Sequence, residues 1–179
     1  MEHIKLRYLP AKLHNSPDEI PEAVGAALSE LAPECEQLFV AYGDCGTAGK
    51  LDAVLAQFGA TRLKGAHCYA FYAGVENFNT LHDAEPGTFY LTDYLARQFE
   101  TLVYRPLGLD RHPELLESYF SNYTRLLYLA QSDDAGLEAK ARDAAKRLGL
   151  RFERISTGFG ALETGIRAAA SKEAAPCTK

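Results

Sequence analysis

Strand-length apolar runs alternate with segments of helical periodicity along almost the whole chain, and this alternation constrains the fold more than any single motif. Leu38-Phe39-Val40-Ala41-Tyr42 is a continuous apolar run, the pattern of a parallel strand covered on both faces. Thr124-Arg125-Leu126-Leu127-Tyr128-Leu129 is a second such run. Weaker strand signals lie at Ile4-Lys5-Leu6-Arg7-Tyr8-Leu9, which alternates and stops at Pro10, at 61–64, at Thr88-Phe89-Tyr90-Leu91 and at 150–155.

Helical segments separate these runs. Ser16-Pro17-Asp18-Glu19 combines a capping hydroxyl, a proline at the first helical position and an acidic first turn, after which Ile20, Val24, Leu28 and Leu31 share one face. Leu51, Val54, Leu55 and Phe58 repeat the pattern before Gly59, and Val75 to His82 reads as a short helix. Thr92 or Asp93 caps a helix carrying Leu95, Phe99, Leu102 and Val103, and His112-Pro113-Glu114 opens another. Asp134 leads a segment with Leu137, Ala141, Ala144 and Leu148 on one side, Lys146 and Arg147 in its last turn and Gly149 as its stop. A final helix is expected over 161–170. About six strands alternating with helices predict a Rossmann-like α/β fold, a three-layer sandwich around one mainly parallel sheet. The expected organisation is a single domain over 1–170 with a flexible tail over 171–179.

Composition narrows the function classes. The 179 residues are 47% hydrophobic and 24% charged, the proportions of a globular chain, and the net charge is −5. No cluster of Lys and Arg suits phosphate backbones, so nucleic acid is not an expected partner. The first residues lack a secretory pattern and no apolar run is long enough to span a bilayer, which predicts a cytoplasmic protein without a membrane partner. Four cysteines, Cys35, Cys45, Cys68 and Cys177, show no CxxC spacing, and a reducing compartment would keep them as thiols.

Ligands of open parallel sheets bind beyond the carboxyl ends of the strands, which directs attention to the loops there. The turn Gly43-Asp44-Cys45-Gly46-Thr47 follows the first strong strand and places a thiol at an expected helix start, where the dipole would lower its pKa. Asp44, Gly46 and Thr47 are the residues of this turn that could contact a bound cofactor. The neighbouring loop brings His67 and Cys68, and thiolates with imidazole suit a transition metal such as zinc or iron. Cys45, His67 and Cys68 are therefore candidate ligands, with His14 a weaker fourth. Alternatively, Cys45 is a nucleophile and His67 its base. The bland reading of the same residues is a tight turn and packed thiols. Gly43 and Gly49 are one residue too far apart for a phosphate-binding GxxxxGK loop, and Leu51 stands where that loop needs Ser or Thr. Asp93, Asp110, His112 and Glu114 read as helix-start residues. Tyr69, Phe71 and Tyr72, and Tyr119, Phe120 and Tyr123, form two aromatic concentrations for core packing or a partner surface.

Several of these segments, taken in order, resemble one family. Leu9-Pro10-Ala11-Lys12-Leu13-His14-Asn15, Tyr42-Gly43-Asp44-Cys45-Gly46-Thr47, Gly65-Ala66-His67-Cys68-Tyr69 and Gly87-Thr88-Phe89-Tyr90-Leu91-Thr92-Asp93 are similar to the domain-of-unknown-function family numbered 1638. Pro106 to Asp110 and Tyr119 to Arg125 are compatible with it. Members of that family usually begin with a further strand and helix containing an Ala-Cys-Gly segment, so the resemblance implies a shortened start or the loss of that element with its thiol. It also implies an association with corrinoid-dependent methyltransferase components of one-carbon metabolism. Three readings stay open at this level: a metal- or cofactor-binding accessory protein, a thiol-dependent enzyme, and a non-catalytic interaction module.

Overall fold

A computed structural model describes residues 4–63, 65 and 67–171. The elements in chain order are α1 (Ile20–Leu31), β1 (Phe39–Val40), α2 (Lys50–Gln57), β2 (Thr61–Arg62), α3 (Cys68–Ala73), α4 (Val75–Ala84), β3 (Thr88–Thr92), α5 (Asp93–Arg97), α6 (Leu115–Phe120), β4 (Arg125–Ala130), α7 (Ala135–Leu148), β5 (Arg151–Ser156) and α8 (Gly160–Ser171). Two 3-10 turns, Ala11–Asn15 and Pro17–Glu19, precede α1, and a π-helical turn occupies Glu100–Tyr104. No described helix is long and apolar enough to cross a membrane.

The class is mixed α/β with parallel pairing throughout, but the expected single sheet of about six strands is not formed. The chain divides into two compact units, one combining Met1–Phe71 with Ala161–Lys179 and the other Tyr72–Gly160. The first unit has a two-stranded parallel sheet, β1 with β2, and the second a three-stranded parallel sheet in the order β3-β4-β5. The expected strand at Ile4-Lys5-Leu6-Arg7-Tyr8-Leu9 is likewise corrected, because 4–9 carries no strand. Its alternating cations instead reach carboxylates, Lys5 that of Glu34 and Arg7 that of Glu30 at 3.0 Å. The tail over 172–179, with Cys177, lies outside the described residues.

In the first unit the helical stripe behaves as its spacing requires. Ile20, Val24 and Leu28 of α1 are buried with Leu13 of the first 3-10 turn and with Leu51 and Leu55 of α2. Burying each of these side chains contributes on the order of 2 kcal/mol. Gly165 of α8 sits where a Cβ would lie 2.5 Å from Leu63 Cδ2 and 3.3 Å from Phe39 Cζ, so a larger residue there would push α8 off the sheet.

In the second unit β4 is the central strand, buried along its whole length, with β3 and β5 in register on its two sides. Helix α7 packs on β4 and β5 through Leu137, Ala141, Ala144, Ala145 and Leu148. It starts and stops as its sequence predicts: the Asp134 carboxylate accepts from the N–H groups of Gly136 and Leu137, and Gly149 takes the left-handed conformation (φ 72°). At the amino end of this sheet the Arg125 side chain, 9% exposed, donates to Thr88 Oγ1 at 2.8 Å and to Glu153 Oε2 at 2.9 Å, while Arg151 bridges Glu85 and Glu153. A buried guanidinium of this kind persists because its donors are met.

Candidate functional site

The turn after β1 is shaped by its own aspartate. Asp44 Oδ1 accepts from the Thr47 hydroxyl at 2.8 Å and from Gly49 N at 3.0 Å, and Oδ2 accepts from Ala48 N at 3.2 Å. These bonds hold the Asp44 carboxyl below its ordinary value, the Gly49 N–H having the largest effect. The N–H groups leading into α2 are thereby taken up within the chain. Thr47 is buried, and Gly46 (φ 86°) lies against Pro17, where a Cβ would come within 3.5 Å. Asp44, Gly46 and Thr47, the expected cofactor contacts, also build this turn.

Cys45 is in the left-handed region (φ 48°), four residues ahead of the α2 N-cap at Gly49. The expected depression of its pKa by the helix start is overturned. Burial pushes the thiol up and outweighs the N–H groups of Gly43 and Cys68 and the charge of Arg62, all of which favour the thiolate. Arg62 itself is engaged by Asp52 at 2.6 Å and 2.8 Å.

Cys68 opens α3 on the neighbouring loop, which Asp44 N ties to the turn by donating to Gly65 O at 3.0 Å. Burial, reinforced by the proximity of Cys45, pushes the Cys68 thiol up to about 12. The two cysteine loops meet at Gly43: a Cβ there would be 3.2 Å from Cys45 Sγ, 3.3 Å from the His67 carbonyl carbon and 3.4 Å from Cys68 N. Only the smallest residue leaves the loops this close, so Gly43 belongs to the site although its side chain offers no chemistry. Its position between a strand and a cysteine was the signal available in the sequence.

Both candidate histidines are exposed. His67 is exposed, with its ring 6.4 Å from that of Tyr69. His14 is exposed at the end of the first 3-10 turn, and desolvation lowers its pKa. Among the described residues no group of three or more His, Cys, Asp and Glu side chains is placed to hold a metal ion. Of the candidate ligands Cys45, His67, Cys68 and His14, Cys45 and Cys68 are the pair whose loops the fold brings together.

A second polar cluster closes the carboxyl end of the β3-β4-β5 sheet. Thr92 is the cap of α5, accepting from Leu95 N at 3.2 Å. Asp93, read from sequence as a cap, instead accepts from Tyr128 Oη at 2.6 Å, Ser132 Oγ at 2.6 Å and Gln131 N at 3.0 Å. Burial raises its pKa, but these donors outweigh it and the carboxyl is held low. Burial, and after it the same carboxylate, pushes the Tyr128 phenol up. His112 and Glu114 pair with each other in an exposed turn at 3.2 Å. Of the aromatic residues, Phe71 and Phe120 are buried while Tyr119 and Tyr123 remain exposed, with Tyr123 edge-on to Phe89.

No curated protein and no solved structure matches the chain. The family model described as "Protein of unknown function (DUF1638)" matches residues 8–166, a span that takes in both cysteine loops and both sheets. The chain belongs to the DUF1638 family.

Proposed function

We propose that this protein is an accessory protein whose Cys45 and Cys68 thiols take a soft metal ion or a metal-containing cofactor. The observation that carries the reading is the convergence of the Cys45 and Cys68 loops at Gly43, with backbone N–H groups of Gly43 and Cys68 directed at the Cys45 sulfur. Hydrogen bonds of that kind favour a thiolate, and a bound cation supplies the charge that burial withholds. Nucleophile and metal ligand both act as the thiolate, and burial raises both thiols here; a bound cation is the partner that would offset this, so ligation is preferred to the thiol-enzyme reading. Two thiols without a third grouped side chain suit a metal that arrives with ligands of its own, such as an ion in transfer or a corrinoid cobalt, more than a closed tetrahedral zinc centre. In this reading zinc, iron or cobalt are the ions in question, His67 is the nearest supplementary ligand by sequence, and corrinoid methyltransferase components are the partners. Reduced thiols suit the cytoplasm.

The test is a titration of the reduced protein with Co(II) or Cd(II), following thiolate-to-metal charge-transfer absorbance. The wild type should bind one ion with release of about two protons near neutral pH, since both thiols start protonated, and Cys45→Ser and Cys68→Ser should each lose the band. Absence of a saturable band in the wild type, or its persistence in both variants, would overturn the proposal.

A further inference from the structure

The first unit also contains a cavity of about 730 Å³ whose lining includes none of the site residues above. Its floor is β1 with Leu38 and Phe39, one wall is α1 through Ala27 and Leu31, and the opposite wall is α8 through Ala169. The contact of Gly165 with Leu63 and Phe39 pins α8 at one point, and the alanines that follow are too small to fill the space beyond it. The fourth side is the segment 4–9, which lies over the cavity without joining the sheet and is tethered by the ion pairs of Lys5 and Arg7. Leu9 of the same segment packs against the core of the first unit. Leu6 and Tyr8 at this rim are 66% and 82% exposed.

We propose that this cavity binds a hydrophobic small molecule with one uncharged polar end. Its volume lies within the range of about 300–1,000 Å³ typical of small-molecule sites, and an apolar lining with few polar groups is their usual character. The polar groups of the lining include Gln37, Thr61 and the Glu36 carboxylate, while Lys5 and Arg7 already meet Glu34 and Glu30. That balance favours a hydroxyl or amide end over an anionic one.

The experiment uses the full chain and the uncharged fluorescent probe N-phenylnaphthylamine. Saturable binding of one probe per chain is expected, displaced by decanol more readily than by decanoate, with decanol also slowing alkylation of Cys35, which lines the cavity. Ala27→Phe should fill the space and weaken probe binding about tenfold or more. Ala169→Phe does the same from the opposite wall should the first variant fold poorly, as judged by thermal melting. Absence of saturable binding, or wild-type binding by folded variants from both walls, would refute the proposal. Stable dimers that exclude the probe would refute it by assigning the face to a second copy of the chain, and preferential displacement by decanoate would refute the uncharged end.

Discussion

Replacing Cys68 by alanine should change how stability depends on alkaline pH, and the size of the change follows from the burial of the thiol. Cys68 is held protonated up to about 12 in the folded chain, against an ordinary thiol value of 9.0 in the unfolded one. The folded pKa of this acid is raised, so its contribution is fully present below the unfolded value and is lost as pH rises through that value toward the folded one. Near pH 8 the thiol is protonated in both states and contributes almost nothing to the difference. Near pH 10 ionisation of the unfolded chain costs the wild type about 1.4 kcal/mol of stability, and near pH 11 about 2.7 kcal/mol. Other titrating groups are shared by Cys68→Ala, so the informative quantity is the wild-type minus variant difference from urea unfolding under reductant, near pH 8 and near pH 10. That difference should move against the wild type by about 1.4 kcal/mol between the two conditions. A difference that stays constant would show that the thiol is not held protonated, and one that moves at neutral pH would reveal an activated thiolate and revive the thiol-enzyme reading.

Three further substitutions probe the same physical account. Gly43→Ala should cost about 1–3 kcal/mol in chemical denaturation and dim the charge-transfer band, because its Cβ would meet Cys45 Sγ at 3.2 Å and Cys68 N at 3.4 Å; wild-type titration by this variant would refute the convergence of the two loops. Asp44→Ala strips the turn of three donors' acceptor and should cost about 1–2 kcal/mol at neutral pH. Because the Asp44 carboxyl is depressed, that advantage of the wild type should vanish as pH falls below about 4 in acid titrations of stability. Arg125→Ala should cost about 2–3 kcal/mol, less than a fully buried pair, because Glu85 and Glu153 keep Arg151; an unchanged urea midpoint would show that the network does not stabilise the sheet.

Local rules account for the elements whose determinants lie within one turn or one run. Helix α7 was readable from Asp134 to Gly149 because a cap, a stripe and a left-handed stop are all local in sequence. Strand β4 was readable because a strand buried on both faces has no polar alternation to hide it. The segment 4–9 misled because alternation describes any half-covered extended chain, and whether it joins a ladder depends on a partner edge elsewhere. The number of sheets failed for the same reason: β1 and β2 pair over two residues each, and nothing in either run states where pairing ends.

At the candidate site the residue types were legible and their environment was not. The sequence by itself determined a parallel α/β chain of the DUF1638 family, the glycine turn after the first strong strand, and the presence of Cys45 and Cys68 on successive loops. Tertiary structure alone decided that Asp44 occupies the N–H groups ahead of α2, that both thiols are raised by burial and not lowered by a helix dipole, and that His14 and His67 are exposed. The division has a physical cause. Caps, turns and periodicities act over a few neighbouring residues, whereas a pKa and a ligand set depend on which distant groups exclude water or approach within a few ångströms, distances that only the folded chain defines.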